Sequence, residues 1–590
     1  MICQLPERLA RNDAYRLLFD YQSDDENDSI HDLSEDDVAY NNEQNNNEAE
    51  IDLPLANEEQ PVDDVLEEEV VRNLSSEEDE SDDEADQVEN EQELVSPNGQ
   101  IWTLKEPAVV GRQRQANIFH PVQGFRRGLR PESRIECFEI FFDNSIECAV
   151  QFTNLYGRRL AREKDIKWKL VTDNEMRAFI GLHFLAGALK AHHRQLEDLW
   201  SERDGHALFT SSMSCQRFKQ IKQALRFDDP IRRDREDPLA PIRMIVQYVN
   251  SKLTDAYTPG RFITVDEQLV EFHGRVGFRR YIPTKPGKFG IEVYWSVDAE
   301  NSFPLQCLVY IGEKTLSMQE KQTSSSIPEA IVWRVTKPFL NKGRNITGDN
   351  YFSSLHLCQR LLEKRTTYVG TMKQNKRENP PAAKRTTGRR RGDCIHYYTN
   401  DATLCSFWDK GKNPVLLIST QHKTQNNQND AKPEIVRFYN STKAGVDTLD
   451  KLNRSYSSKR KCRRWPYSVY FSLADNVCYA ALQLWNSAEG HNDSHYEFKR
   501  DLAIELCKPI IQQRLALPNL RKSIRMSIER LGLQIAAPHI FHQQVKPTQG
   551  RCYLCPRAPD RKQRKMCFEC NRFICAAHGK TRNLCNNCVV

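Results

Sequence analysis

A chain of 590 residues is too long for one hydrophobic core, since single cores stop growing at roughly 250–300 residues, so we expect several domains. Its formal charge of +3 is unevenly divided: residues 21–100 contribute 30 acidic side chains and one basic, residues 1–20 sum to zero, and residues 101–590 therefore carry an excess of 32 positive charges. So basic a body favours a polyanionic partner, above all nucleic acid, over a small neutral substrate. A purely solubilising surface is the alternative, although such surfaces usually mix both signs.

The first 114 residues are predicted to be an acidic, disordered tail. Residues 21 to about 100 have too little apolar content to offset the entropy lost on folding. Several serines precede acidic residues, which matches acidophilic kinase sites, and a tail that only solubilises is an equal alternative. These serines are Ser23, Ser34, Ser75, Ser76 and Ser81.

Residues 115–260 show helical periodicity, with apolar side chains every three or four positions. From residue 261 short β-branched runs alternate with helical segments, which predicts a mixed α/β core over 261–372 that continues at 435–456. Strands are predicted at 261–265, 290–297, 305–311 and 345–347, and helices at 326–339, 353–364 and 442–456.

Residues 373–434 are basic and contain prolines, and we interpret them as an inserted β-rich module with strands at 394–398 and 414–418. Helical periodicity returns over 457–534, where it would complete the helical domain begun at 115–260. Residues 535–550 are predicted to be a linker and residues 551–590 a cysteine-rich domain. The fold class is thus α+β and multidomain. No run of 18 or more apolar residues is present, so we expect no membrane partner.

Four aspartates stand out by position. Asp266 follows the first predicted strand directly, and Asp349 follows the strand at 345–347, so both lie at strand ends where ligands bind in open α/β folds. Asp447 and Asp450 share one helix face, and their repulsion must be offset by a divalent metal or by a nearby basic side chain such as Lys443 or Lys451. Taken singly, such residues are more often turn formers or solvated surface. Taken together, they match a Mg²⁺ or Mn²⁺ site for phosphodiester chemistry.

The C-terminal cysteines form a stronger pattern, because four closely spaced pairs supply eight ligands, enough for two tetrahedral zinc ions. Interleaved, cross-brace pairing would assign one zinc to Cys552, Cys555, Cys575 and His578. The other zinc would take Cys567, Cys570, Cys585 and Cys588. DNA binding, chromatin reading and ubiquitin ligation are the competing uses. The basic neighbours Arg557, Arg561, Lys562, Arg564 and Lys565 favour DNA.

Five dispersed motifs resemble the piggyBac transposase family in order and separation: TVDEQL at 264–269, RYIPTKPGKFG at 280–290, NITGDNYFS at 345–353, VGTMKQNKRE at 369–378 and YNSTKAGVDTLD at 439–450. The resemblance covers roughly residues 115–590. It implies a ribonuclease-H-like catalytic core in which Asp266, Asp349 and Asp447 form the catalytic triad and Asp450 is an additional acid.

By the same resemblance, the protein would nick transposon ends, form and open DNA hairpins, and join the 3′ ends into TTAA targets as a homodimer. It would act on double-stranded DNA in the nucleus. Three arginines at 389–391 are a candidate nuclear localisation signal. The C-terminal zinc domain would bind DNA.

Several basic residues are candidate DNA contacts. Lys285 and Lys288 flank a Pro-Gly turn behind the Asp266 strand and could bind a phosphate, although a solvated turn is the alternative. Trp465 follows two arginines and could stack on an unpaired base at a hairpin end, although such a tryptophan is more often core. The remaining candidates are Lys373, Lys376, Arg377, Arg463 and Arg464.

Two rival functions stay open. A domesticated transposase would bind DNA without cutting it, but no expected acid is missing from this sequence. A zinc-dependent chromatin reader or ubiquitin ligase with a degenerate transposase body would keep residues 552–588 while losing a catalytic carboxylate, and none is lost.

Overall fold

The computed structural model describes residues 93–106, 118–191, 194–422, 432–518, 520–532, 550–555, 562–566 and 573–578. All of these residues belong to one compact unit. The kinase-type serines, the predicted linker before Gly550, and the ligands Cys567, Cys570, Cys585 and Cys588 lie outside the described residues. Within the described part of the chain, none of the helices combines the length and apolar character needed to cross a bilayer.

Thirteen α-helices are described. They are α1 (Arg134–Glu163), α2 (Asp173–Ala188), α3 (Ala207–Ser212), α4 (Cys215–Ala224), α5 (Arg243–Ala256), α6 (Met318–Gln322), α7 (Ile327–Thr336), α8 (Leu355–Glu363), α9 (Glu434–Thr442), α10 (Gly445–Ser455), α11 (Trp465–Asn486), α12 (His495–Leu515) and α13 (Lys522–Arg530). Short 3₁₀ turns lie at Glu197–Trp200, Gly312–Thr315, Lys337–Phe339 and Pro381–Lys384.

Fifteen strands are described. They are β1 (Glu93–Val95), β2 (Ile101–Thr103), β3 (Gly124–Phe125), β4 (Tyr257–Thr258), β5 (Phe262–Glu271), β6 (Arg280–Tyr281), β7 (Phe289–Asp298), β8 (Pro304–Val309), β9 (Asn345–Gly348), β10 (Thr367–Met372), β11 (Cys394–Tyr398), β12 (Thr403–Phe407), β13 (Val415–Ser419), β14 (Gly550–Arg551) and β15 (Lys562–Gln563).

The helices before β5 and after α10 share one hydrophobic core. Polar side chains begin several of them: Ser133 accepts a hydrogen bond from the Glu136 amide at the start of α1, and Ser494 with Glu497 forms a capping box at the start of α12. Their apolar faces, rich in Phe and Leu, bury against one another and against the sheet. Helices from the two ends of the described chain therefore pack as one body beside the sheet.

Eleven strands form one mixed sheet in the order β1-β2-β11-β12-β13-β10-β9-β5-β7-β6, with β8 also pairing with β7. At its centre β5, β9 and β10 run parallel, whereas β7 is antiparallel to β5 and to β8. Helices α7 and α8 contribute to the core that covers one face of the sheet. Residues of α10 and α11 contribute to the core that covers the other face. Strands buried on both sides in this way position the loops at their ends firmly.

The structure corrects two expectations and adds one detail to a third. The first catalytic strand does not end before Asp266 but runs from Phe262 to Glu271, because its antiparallel partner β7 continues the pairing beyond that point. To the predicted β-rich insertion the structure adds that strands β11–β13 extend the central sheet through β10. Residues 93–106 of the supposed tail are ordered, since Trp102 is fully buried and its indole donates to the Glu378 carbonyl at 2.8 Å.

Candidate active site

Two of the predicted aspartates lie side by side because of strand register. Strands β5 and β9 are parallel, and Thr264 pairs with Thr347 and Val265 with Gly348. The next residue on each chain is Asp266 and Asp349. Their carboxylates therefore meet where β9 ends and β5 continues. Asp349 follows the end of its strand as predicted, whereas Asp266 lies within its strand.

A third carboxylate that sequence reasoning missed joins them. Carboxylate oxygens of Asp266, Glu267 and Asp349 all lie within 4.8 Å of one another. Strand alternation predicts opposite directions for neighbouring side chains, so Glu267 gave no signal beyond its position next to Asp266. The Glu267 amide also donates to Asp266 Oδ1 at 2.9 Å, and the Tyr351 amide donates to Asp349 Oδ1 at 3.0 Å. These contacts orient two of the three carboxylates.

The segment that leads from the end of α9 into α10 and carries Asp447 is fixed to the same strands. Thr264 Oγ1 donates to the Thr442 carbonyl at 2.5 Å, and the Thr347 and Thr442 hydroxyls lie 2.8 Å apart. At Gly445 a Cβ would lie 2.6 Å from Val297 Cγ2 and 2.8 Å from Thr264 Oγ1, so glycine permits α10 to approach β5 and β7 closely. Asp447 is therefore held beside the strand that carries Asp266.

Lys285 is the cation of the site. Its Nζ lies 3.1 Å from Asp447 Oδ1 and 3.5 Å from Glu267 Oε1, and it donates to the Glu267 carbonyl at 3.2 Å. Burial lowers its pKa, but Glu267, Asp266 and Asp447 outweigh this effect and raise the pKa above its ordinary value. The lysine is therefore charged and lies among the acids, so it is not a freely solvated turn residue.

The acids repel one another strongly. Burial, followed by the charge of Glu267, raises the pKa of Asp349 to about 7, although the Tyr351 and Phe352 amides and Lys373 oppose the shift. Burial and the neighbours Glu267, Asp349 and Asp447 raise the pKa of Asp266 well above its usual range. Such clustering is typical of sites that receive a cation or a proton during function.

Asp450 occupies a different environment from the other three aspartates. It is 7% exposed, accepts a hydrogen bond from Gln268 Nε2 at 3.0 Å, and forms an ion pair with Arg454. Trp295 and Asn476 donate to the same Gln268, which closes a buried polar network between α10, α11 and the sheet. Asp450 thus shares the helix of Asp447 but lies outside the carboxylate cluster formed by Asp266, Glu267 and Asp349.

The predicted DNA contacts differ in how far their charged groups are exposed to solvent. Lys288 and Arg463 are exposed. Lys373 is half-buried and lies close enough to Asp349 to offset part of the rise in that residue's pKa. Arg464 donates to the carbonyls of Leu225 and Lys222 at the end of α4, so its guanidinium is occupied by the protein itself. Lys376 is half-buried and Arg377 is exposed.

Trp465 lines a cavity of about 570 Å³. The cavity wall also contains four arginines, two further aromatic side chains and two aspartates, whose negative charges offset part of the positive charge of the arginines. Phe278 meets Trp465 edge-to-face at 5.1 Å. The lining charges and aromatics are Arg233, Asp234, Arg235, Asp237, Phe278, Arg279, Arg280, Tyr310 and Trp465. A positively charged aromatic cavity of this kind suits an unstacked base with its phosphate.

At the C-terminus the structure brings together the four described residues assigned to one zinc. His578 Nδ1 lies 3.6 Å from Cys552 Sγ, 3.3 Å from Cys555 Sγ and 3.2 Å from Cys575 Sγ. The four ligand atoms lie within 4.8 Å of one another. A Cys-Cys pair and a Cys-His pair that are separated in sequence thus converge as interleaved pairing requires, and the donor set suits a tetrahedral zinc ion.

A family model described as "Transposase IS4" matches residues 133–482, which contain every strand of the carboxylate site and the helix of Asp447. The chain belongs to this transposase family and is of the piggyBac type.

Solved and curated relatives agree with this assignment. The chain is 30% identical to the protein in a cryo-EM structure of a piggyBac transposase synaptic complex with hairpin DNA, with a TM-score of 0.66, covering 79% of this chain and 100% of that one. It is 23% identical over 391 residues to the human piggyBac transposable element-derived protein 3, covering 62% of this chain and 63% of the relative. For the human protein 2 of that series the identity is 22% over 411 residues, covering 66% and 65%. This chain thus spans less than two thirds of the length of these human relatives.

Proposed function

We propose that this protein is an active DNA transposase that nicks transposon ends, forms and opens hairpins, and joins the 3′ ends into TTAA sites. The observation that carries the proposal is the meeting of Asp266 and Asp349 at matched positions of parallel strands, with Asp447 fixed beside them through Thr442 and Gly445. Asp266 and Asp349 come from separate strands, and Asp447, from a third segment, lies near enough for its charge to raise the pKa of Asp266, an arrangement that a turn or surface role would not require.

In this proposal strands β8, β7, β5, β9 and β10 form a ribonuclease-H-like core. An antiparallel meander of three strands is followed by two strands parallel to the first, and this order supports the assignment. The predicted domain limits are kept, except that residues 93–106 join the folded body. Helices before residue 260 and after residue 457 would form the DNA-binding and dimerisation domain.

The cluster fits a pair of divalent cations. Its donors are hard carboxylate oxygens, and burial together with their mutual repulsion raises the pKa of Asp266 and Asp349, so a positive charge would stabilise the ionised forms. Asp266, Asp349 and Asp447 would hold the ions, with Glu267 the additional donor in reach. Bound Mg²⁺ or Mn²⁺ would activate the attacking oxygen and stabilise the leaving one.

The surrounding residues would bind and orient the DNA. Lys285 and Lys373 lie beside the carboxylates and would bind the phosphates flanking the cleaved bond. Lys288, Lys376, Arg377 and Arg463 would extend this basic path. Trp465 would stack on an unpaired base in its cavity. The C-terminal zinc domain, with two Zn²⁺ in cross-brace pairing, would bind the terminal repeat, and the protein would act in the nucleus as a homodimer.

The proposal is tested with purified full-length protein, DNA carrying the element's own flanking ends, and Mg²⁺. Wild-type protein should yield nicks and then hairpins on a denaturing gel. Asp349→Asn should bind the same DNA within about twofold in fluorescence anisotropy and yield no nick. Cleavage by the variant at wild-type rate would overturn the assignment of Asp349.

A DNA-binding protein that no longer cleaves is the second candidate. One observation favours it: Asp447 already has a cation partner in Lys285, and Asp450 has one in Arg454, so two of the four aspartates are satisfied within the protein. In the same assay this candidate gives tight binding to the ends with no nick from wild-type protein in either Mg²⁺ or Mn²⁺.

A further inference from the structure

A second cluster of metal-ligating side chains lies away from the carboxylates, on the hairpin of β11 and β12. Ligand atoms of Cys394, His396 and Cys405 all lie within 4.8 Å of one another. Cys394 Sγ is 3.1 Å from Cys405 Sγ, and it is 3.8 and 3.7 Å from the two ring nitrogens of His396. The proposed transposition chemistry makes no use of these residues.

Strand register explains why the three side chains converge. His396 pairs directly with Cys405 across the antiparallel hairpin, and Cys394 lies two residues before His396 on the same strand face. A Cys-x-His sequence opposite a single cysteine therefore presents three donors at one point of the sheet. Spacing along the sequence does not reveal this arrangement, since it depends on the turn that sets the hairpin register.

We propose that Cys394, His396 and Cys405 bind a zinc ion in addition to the C-terminal zinc. Two sulfurs and an imidazole are ligands that zinc accepts, and three protein ligands leave the fourth tetrahedral position to water or another ligand. The distances of 3.1–3.8 Å between these donors resemble the 3.2–3.6 Å between donors of the C-terminal cluster. Arg389 donates to the carbonyls of Asp393 and Ser406, which are the chain neighbours of Cys394 and Cys405, so a guanidinium braces the two strands of the hairpin next to the donors.

A disulfide between the two cysteines fits the hairpin less well. Cys394 lies opposite Phe407, so Cys405 is its diagonal neighbour across the strands. Diagonal neighbours have Cα atoms about 7–8 Å apart, beyond the span of roughly 4.4–6.8 Å that most disulfides cover. A bridging metal ion accommodates the longer separation.

The ion would strengthen a weakly paired part of the sheet. Strand β11 contacts β2 through one residue pair, Tyr398 with Thr103, so most of its support comes from β12. Cys405 also belongs to the apolar cluster that includes Ile435 and Tyr439 of α9, the helix leading to α10 and Asp447. Zinc binding at the hairpin would therefore stabilise the surface on which the last catalytic segment packs.

The test measures zinc in the full-length protein, purified with a reductant and equilibrated with ZnCl₂. Compared with wild type, Cys394→Ser should lose one zinc equivalent per chain by elemental analysis, as should His396→Asn. Cys215→Ser, a half-buried cysteine at the start of α4, is the matched control and should keep the wild-type content. Equal zinc in all four proteins would overturn the proposal.

A second measurement covers the case in which the variants fail to fold. In native wild-type protein, ZnCl₂ should slow alkylation of Cys394 at least tenfold while leaving the rate at Cys215 unchanged, as followed by peptide mass spectrometry. A chelator should restore the faster rate. Alkylation of Cys394 that does not respond to zinc, or a Cys394–Cys405 disulfide in protein purified with reductant, would refute a metal site here.

Discussion

The ammonium of Lys285 donates a hydrogen bond to Asp447 Oδ1 across 3.1 Å and thereby joins the turn before β7 to helix α10. The two residues are 162 positions apart in the chain, and the side chain of Lys285 is 16% exposed. A lysine so placed competes with a divalent cation for Asp447, but it also offsets the repulsion among the acids when no cation is bound.

Replacing Lys285 should reveal both its competition with a divalent cation and its relief of the repulsion among the acids. Without metal, Lys285→Gln should be less stable than wild type at pH 7.5, because the carboxylates lose their partner, and Mg²⁺ should raise its melting temperature by more than it raises that of wild type. Cleavage should fall about 10- to 150-fold, the equivalent of losing one charged hydrogen bond of roughly 1.5–3 kcal/mol. Calorimetry and the nicking assay measure the two quantities.

Lys288→Gln is the matched control, since Lys288 lies in the same turn but is exposed. Its Mg²⁺-induced change in melting temperature should equal that of wild type. If Lys285→Gln also behaves like wild type, the ion pair with Asp447 contributes nothing to the site.

The raised pKa of Asp349 predicts how the stability of the metal-free protein depends on pH. The folded-state pKa of about 7 exceeds the ordinary value of 3.8, so between these values the folded protein holds more protons than the unfolded chain. The free energy of unfolding should therefore fall as pH rises from about 4 to about 7. Asp266, whose pKa is also raised, should steepen the decline.

Asp349→Asn should reduce this pH dependence and raise the melting temperature at pH 7.5 in the presence of a chelator, by about 1 °C for each kcal/mol of stability gained in a chain of this length. It should also diminish the stabilisation by Mg²⁺. Asp401→Asn, in the turn between β11 and β12, should change neither quantity. Parallel stability curves for wild type and Asp349→Asn would contradict the assignment of this carboxyl.

Asp450 is expected to position α10 and not to bind the metal, because Gln268 and Arg454 occupy its oxygens. Asp450→Asn should keep the hydrogen bond from Gln268 and lose the ion pair, which lowers the free energy of unfolding by about 1 kcal/mol. Its Mg²⁺-induced change in melting temperature should match wild type, whereas that of Asp447→Asn should shrink. Equal loss in both variants would make Asp450 a ligand.

The sequence located the three aspartates because each lies within a short, distinctive motif. It did not predict that β5 continues through Asp266, since the length of a strand depends on its partner, here β7. Glu267 was missed because strand alternation directs neighbouring side chains to opposite faces, whereas its longer side chain brings the carboxylate within reach of Asp266.

Contacts between distant segments were the least predictable feature. The phosphate contact of Lys285 stays a prediction, whereas its ion pair with Asp447 could not be predicted because it depends on how α10 docks on the sheet. Arg464 was expected to contact DNA, but the structure gives it two carbonyl partners at the end of α4. In both cases the charge was evident from the sequence, whereas its partner was set by tertiary packing.

Trp465 offers a test of whether the cavity beside it receives a DNA base. The indole is half-buried, packs against the helical core and contacts Phe278 edge-to-face, and Arg279 and Arg280 lie in the same cavity wall. Stacking of a base on an aromatic side chain contributes about 1–3 kcal/mol. Trp465→Ala should therefore slow hairpin formation and opening by about 5- to 150-fold and leave the first nick within about twofold of wild type.

Trp465→Phe separates stacking from folding. Phenylalanine keeps an aromatic face at the start of α11, so this variant should recover most of the hairpin steps, and all three proteins should melt within a few degrees of one another. The rates are followed on one radiolabelled end substrate, with nick and hairpin resolved in the same lane. A folding defect reduces every step by the same factor. If Trp465→Ala slows nicking and hairpin formation equally and also lowers the melting temperature, Trp465 is therefore a core residue.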